Sequence, residues 1–127
     1  MDKIEKSIFL EAFCKSLDSI GSSSIGIAVS GGSDSMALFY LSLFWVQRTG
    51  NVMKVASVNH GLRKGSDAEI EFVKDRVGKN LISHFSLSSK VDIGDLQGNI
   101  QDNARKVRYK LLTEWAKKER IECILLG

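Results

Sequence analysis

The loop Ser30–Ser35, with the sequence Ser-Gly-Gly-Ser-Asp-Ser, has residue types suited to chemistry on phosphate groups. It follows the apolar, strand-like run Ile25–Val29 and precedes the apolar, helix-like run Met36–Gln47. That order predicts backbone N–H groups of residues 32–35 at a helix N-terminus, where unpaired donors and a partial positive charge attract anions. The two glycines let the backbone approach a ligand closely, and the serines add hydroxyl donors.

Asp34 separates this loop from two better-known phosphate-binding loops. A Walker A loop requires lysine where Asp34 stands, and the G-x-G-x-x-G spacing of a dinucleotide loop is absent. An aspartate would repel bound phosphates unless a cation intervened, so Asp34 predicts a divalent ion, Mg²⁺, that bridges carboxylate and phosphate oxygens. The alternative is an ordinary helix cap, because Ser and Asp are common N-cap residues. The position between a strand and a helix favours the functional interpretation.

Strands that alternate with helices are predicted to position this loop. Such alternation implies parallel pairing with right-handed crossovers. We therefore predict an α/β fold of Rossmann-like type, with an open parallel sheet and helices on both faces, in a single domain over residues 1–127. The predicted strands are 25–29, 53–58, 81–87 and 121–126, and the predicted helices are 3–18, 36–47, 68–77 and 99–119.

Composition narrows the class of protein. Charged residues make up 26% and hydrophobic residues 43% of the 127 residues, which is close to the average for soluble globular domains. No apolar run approaches the ~20 residues that span a bilayer, and the N-terminus lacks a signal-peptide core. We expect a cytoplasmic protein with no membrane partner. Cys14 and Cys123 lack the spacing of a zinc site and are predicted to be buried, inert thiols.

Two further blocks could contribute to the same site. His60 and Arg63 follow the second predicted strand, and ligands of open α/β sheets bind outside the carboxyl ends of strands. Arg105 and Arg108 lie on the last predicted helix, where two arginines on one face can grip phosphate or carboxylate. A solvated basic helix is the alternative, because residues 99–120 hold seven Lys or Arg against three Asp or Glu. The predicted buried stripe of that helix is Ile100, Ala104, Val107, Leu111 and Trp115.

These blocks carry a family resemblance. Residues 29–38 resemble the signature of the ATP-pyrophosphatase, or PP-loop, enzymes, which pass AMP from ATP to a substrate oxygen and release pyrophosphate. Together with His-Gly-Leu-Arg at 60–63 and Ala-Arg-x-x-Arg-Tyr at 104–109, the chain resembles the tRNA(Ile)-lysidine synthetase family from about Ile25 to Gly127. Asn59 stands where that family usually has Asp, so the role of a carboxylate there is not carried over.

The resemblance implies ATP and Mg²⁺ as cofactors, and tRNA(Ile) and L-lysine as substrates. ATP would activate the C2 carbonyl of the wobble cytidine, and the lysine amine would then displace AMP to form lysidine, so that the tRNA reads AUA. Arg105 and Arg108 would neutralise charge on phosphate or hold the lysine carboxylate, whereas His60 and Arg63 would face the substrate. The implied ATP-binding residues are Ser30, Gly31, Gly32, Ser33, Asp34 and Ser35, with Asp34 also the Mg²⁺ ligand.

The family's next block, His-x-x-Asp-Asp-Gln-x-Glu-Thr, would begin beyond Gly127. The resemblance therefore predicts an N-terminal fragment that binds ATP weakly and catalyses little. A last strand without its following helix would leave a sheet edge that favours a homodimer or aggregation. Two alternatives stay open: another adenylating PP-loop enzyme, of the tRNA thiolation or amidotransferase type, and a non-catalytic nucleotide-binding module.

Overall fold

A computed structural model describes residues 3–59, 66–88 and 100–126, with side chains from 10–59, 68–88 and 102–126. Every helix and strand predicted above is present, and no end is displaced by more than three residues. No helix in the described ranges is long and apolar enough to cross a membrane. In chain order the elements are α1 (Lys3–Ile20), β1 (Ser24–Ala28), α2 (Ser33–Thr49), β2 (Val52–Asn59), α3 (Ser66–Lys79), β3 (Ser83–Ser88), α4 (Ile100–Glu119) and β4 (Cys123–Leu126).

The four strands form one parallel sheet in the order β3-β2-β1-β4. From β1 the chain moves outward through β2 to β3 and then returns to place β4 on the other side of β1. This reversal makes the carboxyl ends of β1 and β4 a topological switch point, which is where ligands bind in open α/β sheets. The predicted fold class is confirmed.

The two faces of the sheet carry different cores. The face that we call the loop face is covered by α1, α2 and α3, and its core includes the fully buried residues Phe39, Trp45 and Val55. Among the described residues, the opposite face, which we call the α4 face, is covered by α4. The buried residues of its described cluster are Ala28, Ala56, Leu112 and Trp115.

The prediction for the buried stripe of α4 is right in part. Trp115 is buried, but the second fully buried position is Leu112 and not Leu111. The Trp115 ring is seated over Gly26 of β1, where an added Cβ would lie only 2.9 Å from the ring. Leu112, three residues earlier, packs in the same buried cluster, so the centre of the stripe lies between these two positions and Leu111 is at its margin. Ala104, Val107 and Leu111 are half-buried, and the side chain of Ile100 lies outside the described residues.

Candidate phosphate-binding loop

The predicted phosphate loop connects the central strand β1 to the start of α2. Gly32 is the N-cap of α2, with φ −70° and ψ 161°, and no side chain in the described part of the chain makes a capping hydrogen bond. The first helical hydrogen bond of α2 runs from the Met36 N–H to the Gly32 carbonyl at 3.0 Å. No hydrogen bond from the N–H groups of residues 33–35 is seen within residues 3–59, 66–88 and 100–126, so these groups can bind an anion. The alternative of an ordinary serine or aspartate cap does not match this geometry.

Ser35 braces the loop from inside. Its side chain is buried, and its hydroxyl accepts a hydrogen bond from the Ser30 N–H at 3.2 Å and donates to the Gly32 carbonyl at 3.1 Å. The Ser30 hydroxyl lies 3.2 Å from that of Ser35 and accepts from the Gly32 N–H at 3.4 Å. The exposed members of the predicted set are Ser30, Gly32, Ser33 and Asp34, and Gly31 is half-buried.

Gly31 is the position where the loop needs a glycine. Its φ of 91° lies in the left-handed region, which side chains disfavour. An added Cβ would also lie 3.5 Å from Glu69 Cβ and from Val73 Cγ2, so α3 packs directly behind the loop. Gly32, by contrast, has an ordinary extended backbone, and the absence of a Cβ there matters only for close approach of a ligand.

Asp34 has the properties expected of a metal ligand shared with phosphate. It lies exposed in the first turn of α2, and the described residues provide no hydrogen-bond or ion-pair partner for its carboxylate. They also contain no group of three or more His, Cys, Asp or Glu side chains that could enclose a metal ion. Mg²⁺ commonly binds through one or two carboxylates together with substrate phosphates and water, and a single exposed carboxylate fits that pattern.

The structure does not join the two predicted arginines to the loop. Both lie in the first half of α4, and among the described residues no hydrogen bond or ion pair links either one to Ser30–Ser35. Arg105 is exposed, and its guanidinium carbon lies 5.3 Å from the Tyr109 ring centroid, a cation–π contact. Arg108 is half-buried. Their catalytic role remains a prediction.

The second predicted block lies mostly outside the described residues. His60 and Arg63 both fall there, so their substrate role also remains a prediction. Asn59, which replaces the usual Asp, is half-buried at the carboxyl end of β2, at the same sheet edge as the loop.

Sequence reasoning missed Ser57 and His84. The Ser57 side chain is buried; its hydroxyl donates to the Val29 carbonyl at 2.8 Å and lies 3.0 Å from His84 Nε2. Burial lowers the pKa of His84 below 6.5, Lys74 lowers that pKa further, and Glu71 opposes the shift. The one signal in the sequence was a polar residue, Ser57, on the strand face that also carries Val55.

The Ser-Gly-Gly loop at a switch point of a parallel sheet defines a nucleotide-binding α/β domain. The PP-loop domain family matches residues 5–127, and the chain belongs to that family. It is 38% identical over 104 residues to the tRNA(Ile)-lysidine synthase of Wolbachia pipientis wMel, covering 81% of this chain and 24% of that protein. For the synthase of Rickettsia bellii (strain OSU 85-389), identity is 40% over 105 residues, covering 83% and 24%. The chain thus spans about a quarter of the length of these relatives.

Solved structures share the fold at low sequence identity. The U34-tRNA thiolase of Methanococcus maripaludis aligns with a TM-score of 0.73 at 19% identity, covering 82% of this chain and 38% of that one. The NH3-dependent NAD synthetase of Campylobacter jejuni aligns with a TM-score of 0.72 at 13% identity, covering 97% and 56%. At these identities the likeness extends to the fold alone.

Proposed function

We propose that this chain is the ATP-binding part of an enzyme that ligates lysine to the wobble cytidine of tRNA(Ile), forming lysidine. The observation that carries the proposal is the loop Ser30–Ser35 at the carboxyl end of the central strand, in a chain 38% identical to a lysidine synthase. Because tRNA is the proposed substrate, we assign the protein to the cytoplasm.

The loop would hold the ATP phosphates. The N–H groups at the start of α2, which have no acceptor among the described residues, would supply donors and the positive end of the helix dipole. Gly32, which lacks a Cβ, allows phosphate to approach the backbone. Asp34 would hold Mg²⁺, and the bound ion would offset the negative charge of the phosphates and of the departing pyrophosphate.

The proposed reaction has two displacements. The cytidine O2 attacks the α-phosphorus of ATP, pyrophosphate leaves, and the base carries AMP on O2. The lysine amine then attacks C2, a C–N bond forms, the C2–O bond breaks as AMP leaves, and the amine loses a proton to solvent. Arg105 and Arg108 would stabilise charge on phosphate or bind the lysine carboxylate, and His60 and Arg63 would contact the substrate.

Thiolation of tRNA is the nearest alternative, and the positions of the cysteines favour lysine ligation over it. Cys14 is buried in the core of the loop face. Cys123 pairs with Ile25 at the amino end of β4, which is the sheet edge opposite the loop. Neither thiol therefore lies beside the site where ATP would be held.

The proposal is tested in two stages. First, MgATP binding to this chain is measured by titration calorimetry, and absence of binding contradicts the assignment. Second, the chain replaces the matched quarter of the Wolbachia synthase. Pyrophosphate release by this chimera is then measured with tRNA(Ile) and, in separate assays, with lysine, ammonia or a sulfur donor. We expect release that requires lysine, with lysidine in the recovered tRNA. Release that instead requires ammonia or a sulfur donor favours a sibling enzyme, and binding without turnover favours a nucleotide-binding module.

The metal role of Asp34 has its own test. Asp34→Asn keeps the size and removes the charge, so we expect it to abolish the dependence of ATP binding on Mg²⁺. Asp102→Asn, at an exposed carboxylate on α4 that pairs with Lys106 at 3.4 Å, is the control and should leave that dependence intact. Unchanged Mg²⁺-dependent affinity in Asp34→Asn would remove the metal role.

A further inference from the structure

The peptide group that joins Val29 to Ser30 is held at both of its polar ends. Its carbonyl accepts a hydrogen bond from the Ser57 hydroxyl at 2.8 Å, and its N–H donates to the Ser35 hydroxyl at 3.2 Å. Turning a peptide group reverses its carbonyl and its N–H together. Two anchors, one from β2 and one from α2, therefore fix the orientation in which the chain enters the phosphate loop.

The Ser57 hydroxyl acts where the backbone ladder between β1 and β2 stops. The strand β1 ends at Ala28, and the next ladder bond runs from the Val29 N–H to the Ala56 carbonyl at 2.9 Å. The Val29 carbonyl then takes its donor from a side chain of β2. Val29 and Ser57 are each 2% exposed, and a buried carbonyl that loses its donor carries the full cost of its desolvation.

The His84 imidazole is assigned as the hydrogen-bond donor to Ser57, because the hydroxyl of Ser57 has only one hydrogen. A serine hydroxyl has one hydrogen, and Ser57 uses it on the Val29 carbonyl. The contact of 3.0 Å between His84 Nε2 and Ser57 Oγ is therefore assigned with Nε2–H as the donor. The Nε2–H tautomer of the imidazole satisfies this assignment. A single directed chain of hydrogen bonds then runs from β3 through β2 to the end of β1, and each bond in such a chain strengthens the next.

We propose that Ser57 and His84 are positioning residues for the phosphate-binding loop, because they hold the Val29–Ser30 peptide in the orientation that directs the following residues, 31–35, towards the ATP phosphates. Ser57 acts directly on that peptide, and His84 acts through Ser57. This inference rests on the proposed ATP-binding function. It assigns a role to two polar side chains that never need to touch the nucleotide.

The first test compares three serine variants for MgATP affinity by titration calorimetry of the whole chain. Ser57→Ala removes the donor, and we expect binding to weaken about tenfold. Ser57→Thr keeps the hydroxyl and should recover most of the affinity. The matched control is Ser42→Ala on α2, since Ser42 is also fully buried but its hydroxyl has no partner among the described residues. That control should bind ATP like the parent chain.

The outcomes separate this inference from the proposed function. If the parent chain does not bind MgATP, the proposed function fails. If the parent chain binds and Ser57→Ala binds equally well, the positioning role of Ser57 is wrong and the function stands. Equal weakening in Ser57→Ala and Ser42→Ala also contradicts the inference, because a general loss of packing would then explain both.

The second test needs no nucleotide. Nitrogen NMR distinguishes protonated from unprotonated ring nitrogens, and we expect hydrogen on Nε2 of His84 at neutral pH. The Ser30 amide signal should shift in His84→Leu and stay near its parent position in His84→Gln, whose side-chain amide can still donate to Ser57. Finding the hydrogen on Nδ1, or a Ser30 amide indifferent to both variants, would overturn the role of His84.

Discussion

The two faces of the sheet differ in how they hold the predicted functional residues. On the loop face, Ser30–Ser35 is hydrogen-bonded internally and sits over a core drawn from three helices. On the α4 face, Arg105 and Arg108 stand on a single helix above a cluster of four buried residues. The loop Ser30–Ser35 is therefore held by its own hydrogen bonds and by packing from three helices.

In the proposed function the two faces of the sheet would have separate tasks. A loop held on rigid elements can bind the phosphates shared by every ATP-dependent step without first reorganising. Arg105, which is exposed, and Arg108, which is half-buried, would contact a substrate that enters later. The carboxyl edge of the sheet, where the loop follows β1, is the place where the loop and the arginines would meet.

The largest expected effect is a loss of stability when the small buried cluster of the α4 face is disrupted. Trp115→Ala should lower the free energy of unfolding by about 3–5 kcal/mol, because the ring fills the space over Gly26 and contacts Phe85 at a centroid distance of 5.7 Å. Urea unfolding followed by circular dichroism measures the change. Trp115→Phe should cost much less, since no acceptor among the described residues bonds to the indole N–H. Equal losses in the two variants would contradict this account.

The next effect concerns the arginines of α4. In the chimeric synthase, Arg108→Ala should slow pyrophosphate release by roughly 100- to 1,000-fold, the usual result of removing a donor that stabilises developing charge. Arg105→Ala should cost less, because Arg105 is exposed and already rests on Tyr109. Lys110→Ala, exposed on the same helix, is the control. If Lys110→Ala slows pyrophosphate release as much as Arg108→Ala does, the specific role of the arginines is wrong and α4 acts only as a general basic surface.

A smaller effect is expected at the loop backbone. Gly31→Ala should cost about 1–2 kcal/mol, since its φ of 91° is strained for any residue with a side chain. Thermal unfolding and ATP titration of the same sample separate loss of stability from loss of binding. Gly78→Ala is a useful control, because Gly78 lies in α3 and an added Cβ would meet no atom within 4 Å. Unchanged stability and ATP binding in Gly31→Ala would show that the loop tolerates another conformation.

The smallest effect is a dependence on pH. The pKa of His84 is lowered in the folded chain, so the unfolded chain takes up a proton first as pH falls through about 6.5. The free energy of unfolding should therefore decrease from about pH 7.5 down to the lowered pKa and level off below it. His84→Gln removes this contribution, and urea unfolding at several pH values measures the difference in slope. If the free energy of unfolding depends on pH in the same way in the parent chain and in His84→Gln, the lowered pKa of His84 is contradicted.

The sequence predicted the elements well and their arrangement less well. Periodicity located each helix and strand because apolar spacing directly reflects which side of an element is buried. It could not show that β4 returns beside β1, since a strand order that keeps extending beyond β3 has the same alternation. The hydrogen-bond chain through Ser57 was invisible for a related reason. It depends on the register of three strands, which no local pattern encodes.

The loop was recognisable because its chemistry is contiguous in the chain, from Ser30 to Ser35. The burial of Ser35 could not be predicted from the sequence, because burial of a serine depends on its neighbours in space. The same limit applies to Arg105 and Arg108. Helical spacing put them on one side of α4, while the turn of that helix relative to the sheet came from the fit of Trp115 against Gly26.

The central position of β1 has a consequence for how the chain forms during translation. Its partner on one side, β4, is made about 100 residues later, as the hydrogen bond between Ser24 and Glu122 across 98 positions illustrates. Ribosomes add roughly 5–20 residues per second, so β1 waits about 5–20 s with one side unpaired. Of the two described strands with a neighbour on each side, β1 and β2, the one that bears the phosphate loop is enclosed later, and during that interval the nascent chain is open to chaperones or to pairing with another strand.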